Sequence, residues 1–136
     1  MKRFLIALTG ALSAVALITI SAQAGSPHFV DDQTFATVNG STLTVVGKEA
    51  GLGDETQIHV VLSATASCVN PGNNNPQAAN KESVSAAEDV PVQNGKADFS
   101  FSVTAVFQPS CSPPMTVSFS NVSVTDTTNG ISLNLG

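Results

Sequence analysis

The chain has 136 residues, of which 42 % are hydrophobic, and it carries a net charge of −5. Sixteen hydrophobic residues fall in positions 1–24, so the remaining 112 residues hold 41 and make one domain-sized segment, too short for two cores. Beyond residue 24 there are three lysines, no arginine, no Trp and no Tyr, which excludes a nucleic-acid surface of basic residues and stacking aromatics.

Lys2 and Arg3 precede an apolar stretch from Phe4 to Ile20, and Ala22-Gln23-Ala24 supplies small residues before Gly25. This is the pattern of a secretory signal peptide cleaved after Ala24. A membrane anchor is the bland alternative, but the segment is short and no cysteine follows for lipidation. Residues 25–136 are then a secreted, extracellular domain with three Lys against ten Asp and Glu, a charge of −7 that disfavours anionic lipid and nucleic acid. Cys68 and Cys111 are the only cysteines, and in an oxidising compartment they are expected to form a disulfide.

In chain order, alternation of apolar and polar residues predicts strands near 33–38, 42–47, 57–68, 83–92, 96–107, 115–127 and 131–135. Ile58, Val60, Leu62, Ala64, Ala66 and Cys68 share one face; Phe99, Phe101 and Val103 share another. Met115, Val117 and Phe119 fall out of phase with Val122 and Val124, which predicts a β-bulge near Ser120-Asn121. Asn39-Gly40, Asn94-Gly95 and Asn129-Gly130 mark turns. A two-residue turn at Asn39-Gly40 would set Ala36 against Leu43 and turn Phe35 to the other side, so a three-residue bulged turn through Ser41, which pairs Phe35 with Val45 and Thr37 with Leu43, is preferred. A two-residue type I′ turn at Asn94-Gly95 would set Val92 opposite Ala97 and Val90 opposite Phe99. The strand 115–127 and the last strand are joined through Asn129-Gly130. Seven antiparallel strands in about 110 residues with one disulfide predict an all-β, immunoglobulin-like sandwich. The Trp of antibody domains is absent, and strand order is left open.

Few constellations suggest chemistry. His28, in an N-terminal segment expected to be mobile, and His59, on an outward face, are too few for a zinc site, and no serine sits on an activating turn beside a base. Asp31-Asp32, Asp54-Glu55 and Glu88-Asp89 could offer oxygen ligands to calcium, but none has a spaced ligand loop, so no metal or cofactor is expected. Asn39-Gly-Ser41 and Asn121-Val-Ser123 fit the N-glycosylation pattern. The most unusual stretch is the polar loop 69–81, with Asn70, Asn73, Asn74, Asn75 and Asn80; its amides could hydrogen-bond a glycan or a partner backbone, although Asn, Gly and Pro are also what turns prefer. The disulfide would tie it to the Pro-rich loop 108–114.

Ser26-Pro-His-Phe29, Lys48-Glu-Ala-Gly-Leu-Gly53, Cys68-Val-Asn-Pro-Gly72 with Ala78-Ala-Asn-Lys81, Gln93-Asn-Gly-Lys96, Cys111-Ser-Pro-Pro-Met115 and Val124-Thr-Asp-Thr-Thr-Asn-Gly130 together resemble a family of small exported bacterial proteins of unknown function. The resemblance implies one domain with the disulfide and transfers no activity. The expectation is therefore a secreted, monomeric, non-enzymatic module that binds a protein or glycan partner, free of nucleic acid and, once the leader is removed, of membrane. The other reading is a small extracellular inhibitor or effector that presents the disulfide-tied loop. No sorting motif appears near Gly136, so free secretion is expected.

Overall fold

The computed structural model describes residues 25–72 and 80–136. Eight strands appear: β1 (His28–Phe29), β2 (Phe35–Asn39), β3 (Thr42–Ala50), β4 (Gln57–Val69), β5 (Lys81–Pro91), β6 (Ala97–Thr104), β7 (Thr116–Asp126) and β8 (Ile131–Asn134). All pairs are antiparallel, and they form two sheets of four strands. In the first, β6 pairs with β3 from Thr42 to Glu49, so β1 and β2 must lie end to end along the opposite edge of β3. The 3-10 turn Asp31–Gln33 separates those two short strands. The second sheet has the order β5-β4-β7-β8.

The strands form where period-two alternation can bury one face of each sheet. Leu43 and Val45 of β3, Phe99 and Phe101 of β6, Ile58 to Ala66 at alternate positions of β4, and Val122 and Val124 of β7 meet between the sheets. The Phe99 ring stacks on Phe101 at 5.4 Å and meets Phe29 edge-on at 6.0 Å. Phe29 is buried, so the segment around His28 is a paired strand and not the mobile end expected from sequence. Burial of Phe29, pairing with β3 and the Val30 N–H to Lys48 carbonyl hydrogen bond at 2.8 Å hold it.

Three expectations about pairing need correction. The first hairpin turns over two residues, Gly40 and Ser41, between the paired Asn39 and Thr42. Gly40 alone has positive φ, the pattern of a II′ turn, and the resulting register sets Phe35 opposite Val46 and Thr37 opposite Thr44. Phe35 consequently faces out and is 53 % exposed. Second, β3 runs on to Ala50, because Gly47 and Glu49 continue the inward phase of Leu43 and Val45. Third, Asn94-Gly95 does make a two-residue turn with positive φ at both positions and reciprocal Gln93 and Lys96 hydrogen bonds, but the hairpin divides there. Its first arm joins β4 and its second joins β3, so Val90 pairs with Ile58 and not with Phe99. The bulge in β7 is present: Ser63 pairs with Ser123 and Thr65 with Ser120, with Asn121 at φ 52°.

Candidate functional site

Cys68, the penultimate residue of β4, is bonded to Cys111 with their Cα atoms 5.7 Å apart. β4 delivers Cys68 because its inward phase continues to the strand's end; Cys111 comes from the loop between β6 and β7, which contains cis peptide bonds before Pro109 and Pro114. The Sδ of Met115 lies 3.7 Å from Cys68 Sγ. Beside this cluster a groove of about 440 Å³ opens between the β2–β3 turn and the start of β7, walled by Val38, Ser41, Cys111, Pro113, Met115 and Val117. On the other flank of Cys111, Val106 is 65 % exposed while its backbone N–H donates to Glu82 Oε1 at 2.9 Å. Loop 108–114 thus has an apolar groove on one side and an exposed apolar side chain on the other.

Of the amides proposed from sequence, Asn70 is exposed just beyond β4, and Asn80 is half-buried immediately before β5. Asn73, Asn74 and Asn75 lie outside the described residues. So do the leader and its cleavage site.

The opposite end of the sandwich holds a group that the sequence reading missed. Glu49 of β3 and Asp126 of β7 are both fully buried and face one another between the sheets. Asp126 is well supplied, accepting the Thr128 N–H at 2.8 Å, the Asn129 N–H at 3.2 Å and the Asn129 side-chain amide at 2.6 Å; the same amide donates to Glu55 at 3.1 Å. Neither oxygen of Glu49 has a hydrogen-bond partner. Burial, first, and then the approach of the Asp126 carboxylate, with Glu55 adding to it, push the Glu49 carboxyl up to about 8. At neutral pH Glu49 therefore keeps its proton. The legible signal was phase: Glu49 follows Leu43 and Val45, and Asp126 follows Val122 and Val124, on faces that are otherwise apolar.

His59 Nδ1 is 2.8 Å from Asp89 Oδ1, yet both side chains are largely open to solvent, at 46 % and 62 %. His59 thus makes an exposed cross-strand side-chain hydrogen bond that joins β4 to β5. His28 Nδ1 contacts the carbonyl oxygen of Ser26 at 2.8 Å. Among the described residues no group of three His, Cys, Asp or Glu is arranged to hold a metal ion, and no helix is long and apolar enough to cross a membrane. Asp31 and Asp32 sit on the 3-10 turn, Asp54 is exposed, and Glu88 and Asp89 lie on β5. No family model, no curated protein and no solved structure matches the chain.

Proposed function

We propose that this is an exported, non-enzymatic binding module of immunoglobulin-like type, belonging with the small secreted bacterial proteins whose motifs it shares, and that it meets its partner at the disulfide end. The strand order supports the type: with β1 and β2 counted as one edge strand, the third, sixth and seventh strands are β4, β7 and β8, and they share a sheet as the third, sixth and seventh strands of the immunoglobulin Greek key do. The disulfide supports export, since such bonds persist in oxidising compartments.

The observation that carries the binding reading is the apolar groove beside Cys111, flanked by an exposed Val106 on a loop held by a covalent bond. A rigid, partly apolar rim is a low-entropy surface for recognition. The test is capture from culture supernatant, cell-wall polysaccharide and host extract by the oxidised protein. It is compared with two variants, Val106→Asp and the triple Ala substitution of Asn73, Asn74 and Asn75. A specific partner lost in either variant is the expected result, and binding indifferent to both overturns the assignment of the surface.

A further inference from the structure

β7 is covered unequally on its two edges. Along one edge β4 pairs with it from Thr116 to Asp126, interrupted only at the bulge. Along the other, β8 pairs with Ser123 to Asp126, and Leu135 and Gly136 extend the hydrogen bonding to Val122. Among the described residues no strand pairs with Thr116–Ser120 on that second edge. Among the described residues the main-chain N–H and C=O groups of this edge, in line with β8, therefore have no strand beside them, and such an edge is a template for another strand.

The side chains make the edge selective. Met115, Val117 and Phe119 point inward but are only half-buried, whereas Thr116, Ser118 and Ser120 are exposed on the outer face. Facing this stretch across the gap between the sheets is the end of β2, where Val38 is 51 % exposed although its register partner, Leu43, is fully buried. The groove described above lies between these walls, and no lining residue is charged. In a chain with ten acidic residues, that neutrality is informative about the occupant.

We infer that this groove accepts an extended, uncharged peptide segment of a partner protein, added antiparallel to β7 along Thr116–Ser120 with alternate apolar side chains seated between β2 and β7. Main-chain pairing supplies affinity and the alternating pockets supply selectivity, as in other cases of strand addition. The antiparallel sense follows from the position, which continues the line of β8 in a sheet whose pairs are all antiparallel. The inference rests on the binding-module reading and names the class of partner.

The probe is a synthetic peptide of alternating Thr and Val long enough to span Thr116–Ser120, added to the exported, oxidised protein and followed by amide hydrogen exchange. Exchange at Thr116–Ser120 should slow about tenfold or more at saturation, corresponding to about 1.4 kcal/mol of protection. Val38→Lys, which places a charge on the groove wall and leaves β7 intact, should weaken the peptide by about tenfold or more. Thr44→Lys, on the outer face, should not change it, and a Thr-Lys alternating peptide should not bind. Protection confined to the β5 or β6 edge overturns the inference, as does concentration-dependent protection of Thr116–Ser120 without peptide, which would identify a second copy as the occupant. A partner captured through Val106 that ignores both Val38→Lys and excess peptide overturns strand addition while leaving the binding module standing. Peptide protection that is lost in Val38→Lys, with no partner captured through Val106, supports strand addition at the groove and overturns the role given to Val106.

Discussion

At the scale of single residues, Glu49 governs how stability depends on pH. The folded chain keeps its proton up to about pH 8, whereas an unfolded chain releases it near 4.5. Between those values the folded state binds more protons, so stability falls as pH rises; the contribution is complete below the unfolded value and gone above the folded one. Thermal or urea unfolding should show the protein weakening from pH 5 to pH 8 by an amount on the order of a few kcal/mol, whereas Glu49→Gln flattens this slope and is the more stable of the two at pH 8. An identical slope in both proteins would show that Glu49 is ionised in the fold. Asp126 plays a different part, because its carboxylate satisfies two backbone N–H groups of the β7–β8 turn. Asp126→Ala should destabilise by about 1–3 kcal/mol, read as a lower urea midpoint at an unchanged denaturant slope. That these two acids are inward was legible in their phase; that they meet was not, since alternation says which face a residue takes and nothing about which sheet lies opposite.

At the scale of elements, alternation located the strands well and turn chemistry placed them less reliably. The strand of Ile58 to Cys68 and the change of phase after Phe119 both appear where the sequence puts them. Inward pairing of Phe35 favours a longer first turn on sequence grounds, but a sheet edge tolerates an exposed aromatic side chain when Gly40 can take the positive φ of a two-residue turn. Gly47 shows a constraint invisible to composition: a Cβ there would come within 2.4 Å of the Phe99 ring and 2.8 Å of the Thr34 methyl. Gly47→Ala should therefore cost about 1–3 kcal/mol through displaced core packing. A melting temperature within a degree of the parent would mean that the ring moves aside freely.

At the scale of the molecule, the sheet class was readable and the topology was not. A divided hairpin such as that at Asn94-Gly95 looks locally like a continuous one, and only competition among β3, β4 and β5 for partners decides the outcome. The disulfide was readable from cysteine count, but its position changes its meaning. It joins the end of β4 to the approach of β7, strands already paired in one sheet, so it fastens loop 108–114 and does not bolt the two sheets together. Closing 43 residues of separation is worth roughly 4 kcal/mol in the chain-entropy picture. The double substitution of Cys68 and Cys111 by Ala should lower stability by about 2–4 kcal/mol, with hydrogen exchange accelerating most in residues 105–119. Uniform acceleration over both sheets would instead assign the bond a global role.

The extra residue at Asn121 gives β7 two separate allegiances. Before it, odd-numbered side chains face the β2 wall; after it, even-numbered ones face the end of the sandwich that holds Glu49. The strand therefore behaves like a text with a shift in its reading frame, and each half makes sense only in its own frame. Removing Asn121 would bring Met115, Val117, Phe119, Val122 and Val124 into one unbroken alternation and straighten the strand, so what the extra residue supplies is a local bend and twist and not the inward placement of the valines. Such a point is where this strand can lose one residue without turning its valines to water.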